Sequence, residues 1–161
     1  MPNWCSNSLQ VIGEKEYVEG MLAAFEKGEL LNYLVPVDAG DDWYSANIEA
    51  WGTKWDVGDN SGNGEVSQTE DGKWLFSASF DSAWSPPTNA YQTLVDNGID
   101  LLAYYYEPGM QFCGKFDSED GDQCYQIDGD SDWIVDNIPE DIDVSMGISE
   151  MASSFEEYAD E

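Results

Sequence analysis

The chain has no histidine and no arginine, and its only basic side chains are Lys15, Lys27, Lys54, Lys73 and Lys115. Each absence removes a kind of chemistry. Without arginine there is no planar, bidentate clamp for phosphate or carboxylate. Without histidine the commonest general base and the commonest transition-metal ligand are missing. Against five lysines stand 34 Asp and Glu residues, for a formal net charge of −29. A surface of that sign repels phosphate, which argues against direct binding to nucleic acid and to an anionic membrane. Cysteine is scarce too: Cys5, Cys113 and Cys124 are odd in number and lack metal-site spacing. There is no basic leader with an apolar core, and no run near the roughly 18 apolar residues of a membrane span. These features predict a soluble cytoplasmic protein with free thiols and no cofactor.

What is present is apolar enough to fold. Of the 161 residues 42% are hydrophobic and 14% aromatic, too many for a wholly disordered acidic chain. Residues 3–13 read as a strand that stops at Gly13. Residues 14–28 read as a helix, with Tyr17, Val18, Met21, Leu22 and Phe25 on one stripe and Gly28 at its end. Residues 30–43 read as an irregular connection. Two aromatic-rich segments, 48–57 and 73–84, read as strands paired as a hairpin through 58–72. Ser85 as N-cap, Pro86 at the first helical position and Gly98 at the end predict a second helix. Residues 99–109 and 110–116 read as an antiparallel pair turning at Pro108-Gly109.

That order predicts an α+β fold: a ferredoxin-like split βαβ antiparallel sheet with two helices on one face. Residues 1–117 would form this domain, and 118–161 an acidic extension docked on it. From Asp117 onward there are sixteen acids and no lysine. Short apolar patterns persist there. Trp133, Ile134 and Ile138 suit one short helix, and Ile148, Met151, Phe155 and Tyr158 lie on one face of another.

Four stretches, "MPNWCSN", "WGTKWDV", "FDSAWSPP" and "YEPGMQFCG", occur in this order across residues 1–117. In them the chain resembles the YubB-like family of phage and plasmid proteins. The resemblance implies a ferredoxin-like domain and a mobile-element origin, hence the cytoplasm of a host cell. It implies little about activity, and it does not extend past residue 117.

Candidate sites fall into four groups. "DNSGNGEVSQTE" places Asp59, Ser61, Asn63, Glu65 and Glu70 at EF-hand ligand spacing, with Gly64 at the sharp turn. Strand-like flanks oppose a calcium site there, because an EF-hand needs helices. "DGDSD" alternates Asp128, Asp130 and Asp132 but has neither that glycine nor a closing glutamate. Paired carboxylates for catalysis cannot be told from background among so many acids, and no enzymatic activity is expected. Trp4, Trp51, Trp55, Trp74 and Trp84 sit in strand-like motifs and read as core.

The remaining feature is the charge itself. Carboxylates spaced over a folded surface can imitate the phosphates of duplex DNA. The expectation is an anti-defence inhibitor that fills the basic groove of a host nucleic-acid-binding protein, such as a CRISPR effector or a restriction or recombination nuclease. The residues expected to meet that partner are Asp117, Glu119, Asp120, Asp122, Asp128, Asp130, Asp132, Asp136, Glu140, Asp141 and Asp143. A homodimer would lengthen the surface. Two alternatives remain open, a calcium-stabilised binding module using residues 59–70 and an acidic domain adapted to high salt.

Overall fold

The structure is a computed structural model that describes residues 3–38, 40–59 and 62–159. Two-residue alternation builds its sheet. β1 (Trp4–Gly13) buries Cys5, Asn7, Leu9 and Val11 and leaves the residues between them half-buried or exposed. β2 (Asn63–Gln68), β3 (Trp74–Ala83), β4 (Asp100–Glu107), β5 (Phe112–Asp117) and β6 (Gly121–Gln126) complete one sheet. Its order is β2-β3-β1-β4-β5-β6, with every neighbouring pair antiparallel. β1 is paired on both sides: Leu9 faces Ala78 of β3 and Ala103 of β4.

Helices cover both faces. On one lie α1 (Lys15–Glu26), α2 (Leu30–Leu34), α3 (Trp43–Trp51) and α4 (Thr88–Asp96). Val18, Met21 and Phe25 from α1 and Ala90, Tyr91 and Leu94 from α4 close over Leu9, Val11, Phe76, Phe80 and Phe116. On the other face lie α5 (Ser131–Asn137), α6 (Glu140–Met146) and α7 (Ile148–Ala159). A second apolar cluster sits beneath them. It joins Ile127, Ile134, Ile138, Ile142 and Ile148 to Cys113 of β5, with Tyr104, Tyr106 and Tyr125 packed at its border. Each such isoleucine contributes about 2 kcal/mol when fully buried.

The α+β class therefore holds, with six strands and, among the described residues, seven α-helices. The strand at 3–13, the helices that follow it and Pro86-Pro87, and the β4–β5 pair lie where the sequence predicts them. Several other elements differ. Residues 30–34 form α2 where an irregular connection is expected. The expected strand over 48–57 is instead the end of α3 followed by a loop. Gly52 stops the helix in the left-handed conformation, with φ 91°, and its N–H bonds the Ile48 carbonyl at 2.9 Å. β3 takes its hairpin partner from residues 63–68, inside the expected loop, so the turn shrinks to 69–73. Ser85 does not cap α4. The helix starts at Thr88, and the Ser85 hydroxyl donates to the Gly52 carbonyl at 2.6 Å.

The sheet runs across residue 117. β5 ends at Asp117 and β6 pairs with it from Asp117↔Gly121 to Phe112↔Gln126. Of the expected apolar face on α7, Ile148 is wholly buried, but Met151, Phe155 and Tyr158 are 46%, 70% and 77% exposed. The side of α7 that docks is built from Ile148, Ala152 and Glu156, at i, i+4 and i+8.

Candidate functional site

The acidic segment folds into a turn, an edge strand and a helix cap. Asp117 accepts the N–H groups of Glu119 and Asp120 at 2.9 and 2.6 Å, closing the β5–β6 turn. Asp122 is exposed on β6 and accepts the Tyr105 hydroxyl at 2.5 Å. Asp130 is the N-cap of α5 and accepts the Trp133 N–H at 3.0 Å. Asp128, Asp132, Asp136 and Glu140 are exposed around α5 and the start of α6. Glu119 and Asp120, in the β5–β6 turn, are exposed as well.

Two of the expected residues are committed to partners within the fold, Asp141 while still exposed and Asp143 as a buried side chain. Asp141 accepts the Lys115 ammonium at 3.1 Å and the Tyr104 hydroxyl at 3.2 Å. Partial burial acts against its ionised form, but the Lys115 hydrogen bond and charge win and hold its carboxyl below the usual aspartate range. Asp143 is only 8% exposed, and it accepts the backbone N–H and hydroxyl of Ser149 at 2.7 and 2.6 Å, fixing the α6–α7 corner. Glu156 performs the reciprocal service on α5, accepting the N–H and hydroxyl of Ser131 at 2.8 and 2.6 Å.

The calcium-loop geometry is not that of an EF-hand. Asn63 and Glu65, at its fifth and seventh positions, lie in β2, whose extended backbone cannot wrap one ion. Asp59 and Glu70 are exposed outside the strand, and Ser61 lies outside the described residues. Among the described residues, no three Cys, Asp or Glu side chains come together as a metal site requires.

The tryptophans divide. Trp51 is buried, its indole N–H donating to the Val35 carbonyl at 2.9 Å, and Trp74 is half-buried against the main core. Trp4, Trp55 and Trp84 correct the expectation of core: they are 43%, 41% and 46% exposed at one end of the sheet. The Trp4 and Trp55 rings lie 6.0 Å apart at 36°. Lys54 places its ammonium 4.3 Å from the Trp55 ring centre and 6.0 Å from that of Trp84. A cleft of about 380 Å³ opens beside them, lined by Trp4, Trp55, Asp56, Val57, Asp81 and Ala83. Asp81 is raised above the usual aspartate range by burial, against the opposing hydrogen bond from Ser6.

Local bonds fix this end. Thr53 donates to the Ala83 carbonyl at 2.8 Å, and the Trp84 N–H to that of Asn3 at 2.8 Å. Trp84 itself has φ 70°, which is rare for a bulky residue. Asp56 accepts three backbone N–H groups, from Leu31, Asn32 and Val57, at 2.6, 3.0 and 2.7 Å, and so caps α2. Strand-like sequence context hides these exposed rings. For Trp55 the signal is Gly52, which ends a helix and turns the next residues into a loop.

No helix among the described residues is long and apolar enough to cross a membrane. Comparison with protein-family models, with curated proteins and with solved structures returns no match.

Proposed function

We propose that the protein is a phage or mobile-element accessory protein that occupies the nucleic-acid groove of a host defence protein, presenting carboxylates where the groove expects phosphates. It acts by binding and not by catalysis. The partner class is a CRISPR effector, or a restriction or recombination nuclease, met in the host cytoplasm. The observation that supports this reading is that the acidic segment is folded. Glu119, Asp120, Asp122, Asp128, Asp130, Asp132, Asp136 and Glu140 are exposed on elements anchored by the second apolar cluster. Fixed charges meet a basic groove without the ordering entropy that a disordered tail loses on binding.

Duplex DNA presents about one charge per 1.7 Å of axis. At physiological salt the field of this surface reaches only about 8 Å, so it steers encounters and complements a basic groove at contact. The order β2-β3-β1-β4 fits a ferredoxin-like split βαβ unit, extended here by β5 and β6. Together with the resemblance in its four motifs, that order supports a mobile-element origin.

The test is capture of host proteins by the tagged chain, followed by competition with nucleic acid. A basic, nucleic-acid-binding partner released by competing DNA or RNA and by high salt is expected. Single Asp→Asn changes weaken it by about twofold each, whereas the Asp128→Lys, Asp130→Lys, Asp132→Lys, Asp136→Lys variant loses it. Unchanged capture by that quadruple variant rejects mimicry.

A further inference from the structure

We propose that the tryptophan end of the molecule is an anchor site for an arginine side chain of a basic protein partner, with Trp4 and Trp55 as its walls and Asp81 as its counter-charge. The inference rests on the reading that the partner is basic, and it assigns that partner a specific point of attachment at the tryptophan end of the sheet.

Three facts meet here. The site is a real cleft of about 380 Å³, and two of its lining rings, Trp4 and Trp55, are more than 40% exposed. Large exposed aromatics that border a cleft are the side chains around which protein interfaces concentrate their affinity. One of these rings, Trp55, already holds a cation: the Lys54 ammonium stands 4.3 Å from its centre, and 6.0 Å from that of Trp84 outside the cleft. Ring faces attract cations. Finally, Asp81 lines the same cleft as a partly buried carboxylate.

Arginine fits this combination better than other ligands. Its guanidinium stacks flat on an indole while its edge donates to a carboxylate, which a lysine ammonium cannot do. A nucleobase also stacks, but it brings phosphates toward a chain of net charge −29. A neutral sugar stacks too, and its hydroxyls can donate to Asp81, yet it gains nothing from the negative field around the site. The backbone around the cleft is tied down, because Thr53 donates to the Ala83 carbonyl and the Trp84 N–H to that of Asn3.

Calorimetric titration of the full chain with hexa-arginine and hexa-lysine peptides at physiological salt tests the site. The arginine peptide is expected to bind at least about threefold more tightly, the size of an exposed cation–π preference. The Trp4→Ala, Trp55→Ala double variant erases that ratio. Asp81→Asn, a near-isosteric change that preserves packing, erases most of it as well. The Asp128→Lys, Asp130→Lys, Asp132→Lys, Asp136→Lys variant binds both peptides more weakly and keeps the ratio. That loss reports on the acidic segment and the ratio reports on the cleft, so failure of either idea is visible separately. Equal affinities for the two peptides in the unaltered protein, or a ratio that survives in both the double variant and Asp81→Asn, overturn the proposal. Binding of maltohexaose with no preference between the peptides overturns it in favour of a sugar site.

Discussion

Glu107 shows how much this chain asks of single residues. It is wholly buried, and its carboxylate accepts the Gly109 and Met110 N–H groups at 2.5 and 2.7 Å. It thereby holds the turn between β4 and β5. Gly109 approaches Asn3 so closely that an added Cβ would lie 2.6 Å from that side chain. Glu107→Ala leaves two N–H groups unanswered and is expected to lower stability by about 3 kcal/mol in urea denaturation, with Glu107→Gln losing less because one oxygen still accepts. A loss below about 1 kcal/mol for the alanine variant would remove Glu107 from this role. Asn7 is similar: its amide donates to the Cys5 and Phe80 carbonyls and to Ser82. Such joints explain why several motif residues are where they are. They are not legible in the sequence, because a carboxylate among 34 gives no sign that it faces inward. Asp143 misleads for the same reason. It sits in a dense acidic run and is spent on Ser149.

At the scale of elements, the outer layer stands or falls on its isoleucines. Ile142→Ala and Ile148→Ala remove side chains that are 1% and 0% exposed, and each is expected to destabilise the whole molecule by about 2 to 5 kcal/mol. Phe155→Ser, on the outward side of α7, stays within about 0.5 kcal/mol. Thermal unfolding checks both. A separate early transition in the isoleucine variants would mean that α5–α7 melts alone. Elements with long periodic patterns, such as β1, α1 and β3, are legible in the sequence. The segment between residues 43 and 68 is not. There Trp43, Tyr44, Ile48 and Trp51 form a helix from residues that favour strands, and β2 is mostly polar because it is an edge strand with exposed residues. Tertiary pairing with β3, not local propensity, decides that segment.

For the molecule as a whole, self-repulsion at a net charge of −29 outweighs the effect of any single ion pair. Raising salt from about 0.05 to 0.5 M screens it, and an increase of several degrees in Tm is expected. The chain should nevertheless remain folded in dilute buffer, where a domain adapted to high salt unfolds. Mild acidification acts in the same direction. Burial raises Asp56, despite its three backbone hydrogen bonds, and Asp81. Each therefore adds stability that is complete below the ordinary aspartate value and lost as pH rises through the raised one. Asp141 is opposite: its stability is present above the ordinary value and lost as pH falls through the lowered one. Tm should thus rise as pH falls from 7 toward the ordinary aspartate range and turn down in stronger acid, as differential scanning calorimetry can follow. A Tm indifferent to both salt and pH would mean that the charges are too dispersed to matter.

The central place of β1 sets a timetable. Its two neighbours lie far along the chain, β3 from Trp74 and β4 from Asp100. At ribosomal speeds of about 5 to 20 residues per second, β1 waits roughly 4 to 14 s for its first partner. Throughout that interval Leu9 and Val11 have no sheet to join, and the acidic segment that ends up as the outer layer has not been made. Nascent chains are therefore most vulnerable to aggregation and to chaperone capture before residue 107 emerges. A sheet of such non-local pairings is expected to fold slowly once complete.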